Sequence, residues 1–350
     1  MPVGIFDKLA GWLAPGAAAP ASADTVASTG LASPWASGRL SRIALADIFG
    51  LDSLPVTRAE AMGIPAIARA RHILCADAAR CPLEVLEGEE HRPELGRWMQ
   101  ATTLTTSPQH RAVWTVDDLI HYGWSLWVVK REGDTIADGA RVPIEWWRFE
   151  EDRILINDTP AEAGSVILIP GFHEGIVNSA AHTIRGSRLL EETWQDRAAN
   201  PIPAVELHQT TADTMTPAEV DDLVDNWTAS LRARGGAVGW TPMSLEVRPH
   251  GEGNVDLLIQ GRNAAAIDGA RVVGVPAAMV DASNVNASLT YETLEGRGGE
   301  YLERSLPLYL GPIEARLSLD DVTAPGTRVR ANTSALSTIT PAPSGTPTED

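Results

Sequence analysis

The stretch Asn254–Pro276 reads NVDLLIQGRNAAAIDGARVVGVP, and the segment after it, 281–290, reads DASNVNASLT. The first part, Asn254 to Val273, has helical periodicity and is long for a globular helix. Its small residues are Gly261, Ala264, Ala265, Ala266, Gly269 and Ala270, which let a neighbouring helix approach closely. The alternative is an ordinary buried helix. Then follows a polar segment carrying Asp281, Ser283, Asn284, Asn286 and Ser288, with no Lys or Arg. Tyr291 to Leu317 reads as a second long helix, but Gly298-Gly299, Pro307 and Pro312 lie inside it, so it must be kinked or broken.

Working outward, residues 58–80 read as one helix, with Ile64, Ile67, Ala70, Leu74 and Ala78 at helical spacing. Pro82 ends it and Leu83–Leu86 starts a strand. A short helix is expected over Asp117–Tyr122 after a Thr115 cap. Strands are expected at Trp124–Lys130, Ile144–Phe149, Arg153–Ile156 and Val166–Ile169. Arg188–Ala198 is helical, and Ala204–His208 and Ser244–Val247 are short strands. Thr216-Pro217-Ala218-Glu219 combines a cap, a first-turn proline and the glutamate of a capping box, so it starts a helix. The fold class is therefore α+β. Residues 14–38 and 337–350 are rich in Ala, Ser, Thr and Pro and read as solvated arms. Ile5–Leu13 reads as a short amphipathic segment; Asp7 and Pro15 argue against an export signal.

The chain has 350 residues, with 46 acidic and 28 basic, a net charge of −18. Such a chain repels nucleic acid and lacks the basic face of a sequence-specific DNA binder. It can still form a surface that DNA slides past without sticking. Cys75 and Cys81 match no zinc spacing and read as buried thiols. No apolar run reaches 18 residues, so no membrane helix is expected. There is no Walker loop, no Rossmann glycine signature, no nucleophile elbow and no HExxH. His173-Glu174 has no second ligand nearby in sequence, and His208 and His250 read as surface residues. No catalytic, cofactor-binding or metal-binding residue is expected. Of 11 Trp residues, Trp124, Trp127, Trp146 and Trp147 fall in expected strands and read mainly as core.

The order of segments over about residues 55–320 resembles the portal proteins of siphovirus-like tailed phages. Ile64–Leu74 and Ala78–Val85 resemble that family's opening helix and strand; Asp118–Leu126 its next helix and aromatic strand. Val166–Phe172 and Arg185–Leu190 resemble its strand, loop and first stem helix. Ala270–Pro276 matches its Val-Pro at a helix end, and Ser305–Glu314 its final proline-containing helix. Here Ser305 stands for the usual Thr, and Pro307 comes one place early.

The resemblance implies a portal fold with an α/β wing, two long stem helices, a small α/β clip, a tunnel loop and a long C-terminal helix. It divides the chain into an arm (1–54), wing (55–185), first stem helix (186–199), clip (200–253) and second stem helix (254–275). After these come a tunnel loop (276–290), a wing helix (291–320) and a short crown or disordered tail (321–350). It further implies a ring of about twelve copies at one capsid vertex. The implied partners are the major capsid protein, the large terminase during packaging, a head–tail adaptor, and double-stranded DNA held non-specifically in the channel. No membrane partner is implied. The protein would sit in the virion, and in the host cytoplasm during assembly. Asp281, Ser283, Asn284, Asn286 and Ser288 would face DNA, and Gly261 to Ala270 would pack the stem. Another head–tail connector protein and an enzyme with an unrecognised site are the competing readings.

Overall fold

The computed structural model describes residues 56–103, 106–150, 153–162, 164–199, 204–210, 215–232, 244–250, 255–280 and 299–337. The chain divides into two compact units, Arg185–Ala265 and the remainder on either side of it.

The larger unit opens with α1 (Arg58–Met62) and α2 (Pro65–Ala79), then β1 (Leu83–Glu87), β2 (Glu90–His91), α3 (Arg97–Gln100) and α4 (Pro108–Tyr122). Next come β3 (Trp124–Glu132), β4 (Thr135–Val142), β5 (Trp147–Glu150), β6 (Arg153–Ile156), β7 (Thr159–Pro160) and β8 (Val166–Pro170). α5 (Ile176–Ser179) leads into α6 (Ala181–Ala199), whose last residues belong to the smaller unit. The smaller unit continues with β9 (Ala204–Gln209), α7 (Pro217–Arg232), β10 (Leu245–His250) and the start of α8 (Val255–Val273). The chain then returns to the larger unit with α9 (Pro307–Leu317), β11 (Thr327–Ala331) and α10 (Ser334–Ser337). This is an α+β fold.

Three small sheets serve the larger unit, with strand orders β11-β1-β2, β4-β3-β8 and β5-β6-β7. β3 is buried on both faces. Trp127 and Val129 enter the main core, while Leu126 and Val128 enter a second core with Val142, Trp147, Ile154 and Leu168. Trp124 and Trp146 are half-buried against that second core, so Trp124, Trp127, Trp146 and Trp147 all pack as core or its margin. Cys75 and Cys81 are free and buried, and burial pushes their thiols up to about 12 and about 11.

Several expected boundaries change. The helix expected over 58–80 is two helices. Pro65 lacks an N–H and drives Ile64 to an extended conformation (φ −88°, ψ 114°), so α1 ends at Gly63. The short helix 117–122 is the end of a fifteen-residue helix. Its cap is Ser107, whose hydroxyl accepts from the His110 N–H, with Pro108 behind it and Gly123 (φ 73°) closing the other end. Thr115 is interior: its hydroxyl donates to the Arg111 carbonyl and accepts from Trp127 Nε1 (2.9 Å). The strand expected from Ile144 starts at Trp147, after a 3₁₀ turn over Ile144–Trp146. The break expected near Pro307 is a π-helical turn, Tyr301–Ser305, in which the Leu306 N–H reaches Tyr301 O, five residues back.

Within 321–350, expected to be a short crown or disordered tail, Thr327–Ala331 are an ordered strand. These residues form β11, antiparallel to β1 from Leu83↔Ala331 to Glu87↔Thr327. Thr327 and Val329 are buried while Arg328 and Arg330 point out, which is the strand period of two.

α4 carries a buried charge cluster that ties the larger unit together. Asp117 accepts from Arg58 Nε (2.9 Å) and Arg71 Nε (2.7 Å), on α1 and α2. Asp118 accepts from Arg141 Nε (2.8 Å) on β4 and from the Ser125 hydroxyl (2.9 Å) on β3. His121, wholly buried, donates from Nδ1 to the Asp117 carbonyl at 2.8 Å, since a carbonyl can only accept.

Acid sensitivity follows. Burial alone would raise Asp117, but the Arg58, His121 and Arg71 contacts outweigh it and hold the carboxyl below its ordinary 3.8. A depressed carboxyl contributes stability that is present above 3.8 and is lost as pH falls through its folded value. Between pH 6.5 and 4 two effects oppose. Burial lowers His121 and His173, which favours unfolding on acidification, whereas burial pushes Asp118 up to about 6 despite Arg141 and Ser125, which favours folding. Below about pH 4 the loss of the Asp117 contribution should add to the acid sensitivity of the larger unit. Asp117→Asn should lose stability less steeply there, read as melting temperature against pH. Equal slopes in variant and parent would refute the assignment.

Candidate functional site

The smaller unit, Arg185–Ala265, is where the chain's surface is unusual. Among those of its residues whose burial is described none is buried, whereas the buried residues elsewhere run from Val56 to Val329. Apolar side chains stand open instead: Leu189 is 64% exposed, Ile259 57%, Val224 48% and Val220 42%. Val220 and Val224 lie one turn apart on α7, whose Glu219, Asp221, Asp222 and Asp225 are also exposed. Thr216 starts that helix as expected: its backbone N–H and its hydroxyl both donate to the Glu219 carboxylate at 2.8 Å. Those bonds hold Glu219 below its ordinary value.

Within this unit α6 and α8 meet through few contacts. A methyl at Gly261 would sit 3.5 Å from both Leu190 methyls. The Arg262 guanidinium lies 4.0 Å from the centre of the Trp194 ring. Arg262 Nε donates to Glu191 at 3.0 Å. Leu190, Glu191 and Trp194 share one helix face, so one short surface of α6 receives Gly261 and Arg262. β9 and β10 pair antiparallel from Ala204↔His250 to Gln209↔Leu245. His208, expected on the surface, is 42% exposed at its side chain and lies 3.5 Å from Glu206.

The six small residues of α8 divide. Ala264 is exposed, while Gly261, Ala265 and Ala266 are half-buried. Gly269 and Ala270 are buried, and a methyl at Gly269 would lie 3.0 Å from the Ala66 methyl of α2. At this end the small residues admit a helix of the same chain. Asp281, Ser283, Asn284, Asn286 and Ser288 lie outside the described residues. Among the described residues no group of three or more His, Cys, Asp or Glu is arranged to hold a metal ion. No described helix is long and apolar enough to cross a membrane.

Sequence reasoning missed the charge cluster of Asp117, Asp118, Arg58, Arg71 and Arg141, and the buried Arg111 beside it. The ion pairs of the cluster join residues 23 to 59 apart in sequence, so no local pattern links them.

No family model matches the chain, and no curated protein matches it. Among solved structures it superposes on an HK97 family phage portal protein from Corynebacterium diphtheriae with a TM-score of 0.69 and 33% identity. That match covers 80% of this chain and 96% of the other. The neck of a native gene transfer agent particle, computed with C12 symmetry, matches at TM-score 0.55 and 13% identity over 84% of each chain. The virion of a native gene transfer agent particle matches at 0.54 and 13% over 85% of each. The fold is thus that of a phage portal protein. The chain belongs to the HK97 family of phage portal proteins. It is a structural protein and not an enzyme.

Proposed function

We propose that the chain forms a ring of about twelve copies at one capsid vertex, with an axial channel for DNA packaging and ejection. One observation carries this reading: among the residues of Arg185–Ala265 whose burial is described none is buried, and Leu189, Val220, Val224 and Ile259 stand open to solvent. A unit built this way gains an interior from neighbours of its own kind. Gene transfer agent necks that share the fold were computed with C6 and with C12 symmetry, which supports a cyclic ring.

In this reading residues 55–185 and 291–320 form the wing, 186–199 and 254–275 the stem, and 200–253 the clip. Residues 276–290 form the tunnel loop facing DNA, with Asp281, Ser283, Asn284, Asn286 and Ser288 as its polar contacts. That segment has no Lys or Arg and the chain carries −18 overall, so counterion release adds nothing at the loop and DNA slides rather than sticks. The terminase and the head–tail adaptor dock on the ring, and the capsid protein surrounds it, in the virion and in the host cytoplasm during assembly.

Negative-stain images of the purified full-length protein test this. The expected result is a ring with a central hole and a sizing-column mass of many subunits. A monodisperse monomer at micromolar concentration would overturn the proposal.

A further inference from the structure

α8 ends at Val273, and the chain leaves it through Gly274, whose φ of 74° places it in the left-handed region. The last carbonyls of a helix lack partners within it. Here the Val275 N–H donates back to Ala270 O (3.0 Å) and the Gly274 N–H to Arg271 O (3.1 Å). The Val273 carbonyl is taken by a side chain from far along the sequence: the Tyr309 hydroxyl of α9 donates to it at 2.7 Å. Tyr309 is 1% exposed, and its neighbour Leu308 reaches to 3.3 Å from where a methyl on Gly274 would lie. From Ala277 to Val280 the chain makes a 3₁₀ turn with Val280 buried.

A second segment closes on the same tyrosine. The His173 ring stands edge-on to the Tyr309 ring, centroids 5.2 Å apart at 81°. His173 Nδ1 accepts the Gly175 N–H at 3.0 Å, which leaves that nitrogen without a hydrogen. The loop holding His173 is fixed by backbone contact. The Gly171 N–H donates to Gly123 O at 2.8 Å, and a methyl on Gly175 would lie 2.3 Å from the Tyr122 carbonyl carbon. Two residues past Tyr309, a methyl on Gly311 would lie 2.8 Å from the Phe172 ring. This loop leads through α5 into α6.

We infer that Tyr309 is a positioning residue: it sets where the chain leaves α8 toward 276–290 and couples that exit to the loop 171–175 that leads into α6. One side chain thereby touches the approach to the first proposed stem helix and the exit from the second. The consequence for DNA rests on the channel reading above; the exit geometry does not.

Tyr309→Phe keeps the ring and removes only the hydroxyl. Hydrogen exchange of the full-length protein in its native oligomer should show the Gly274 and Val275 amides exchanging about tenfold faster, with Ile313–Leu317 of α9 unchanged. Unchanged exchange at 274–275, or an equal rise in α9, would overturn the inference. If that variant does not accumulate, His173→Leu removes the ring behind Tyr309 and is judged by the same two segments. In infected cells the exchange-altered variant should form rings yet yield fewer packaged genomes. Normal yield would overturn the coupling to function. Absence of rings in the parent protein would overturn the channel reading alone, since exchange is readable on any oligomer.

Discussion

Arg111→Leu should remove about 4 kcal/mol of folding stability, a large share of the roughly 5–15 kcal/mol typical of a native domain. Arg111 is 2% exposed and has no carboxylate hydrogen-bonded to it. Its guanidinium donates to Gly139 O at 2.6 Å, to Trp98 O at 3.4 Å, to Met99 O and to the Thr103 hydroxyl. It also lies 5.2 Å from the centre of the Trp127 ring. One planar cation thus joins α4 to α3, β3 and β4. Burial pulls its pKa down to about 10, so it stays charged at neutral pH. Leucine would remove this donor from the Gly139 and Met99 carbonyls, at about 1–3 kcal/mol each, while the Trp98 carbonyl keeps the Ala101 N–H. Arg111→Lys should recover little, because an ammonium cannot match the fork that serves carbonyls on different elements. Urea unfolding of the purified protein checks both variants. A loss below about 1 kcal/mol for leucine would show that the carbonyls find other donors.

The second large effect is expected on assembly. Leu189→Asp combined with Ile259→Asp should convert rings to monomers while the melting transition of the larger unit stays in place. Both side chains are more than half exposed, so their replacement removes little from the subunit's own packing. In a ring each would contribute about 1.5–3 kcal/mol to an interface, and an aspartate buried there would cost more still. The penalty repeats at every subunit contact, so closure is lost rather than weakened. Sizing chromatography with circular dichroism reads both halves of the prediction. Rings of normal size from the double variant would exclude these two residues from the interface. A lowered melting transition of the larger unit would show that they act within the subunit.

Much of the local architecture was legible in residue order. The capping signal at Thr216–Glu219, the β-rich run after Gly123 and the strand after Pro82 all appear where the sequence places them. Proline explains both the successes and the misses. Pro82 and Pro307 mark breaks correctly, but Pro65 also splits a helix that apolar spacing alone makes continuous. Thr115 misled because a threonine can cap a helix or bond back within one, and the choice depends on Trp127 across the core.

What the sequence by itself determined is many of the helices and strands, the α+β class and, through their order, the resemblance to the portal family; β4 and β11 became visible only in the fold. Helical and strand periods and proline chemistry act within a few residues, so they can be read along the chain. Only the tertiary structure decided what each surface is for. Gly269 faces Ala66 of the same chain while Ala264 stays open, although both are small residues on one helix. Asp117 and Asp118 read as no more than two acids on a helix until Arg58, Arg71 and Arg141 arrive from other elements. Burial and charge pairing are set by which distant segments come together, and that depends on packing the whole unit at once.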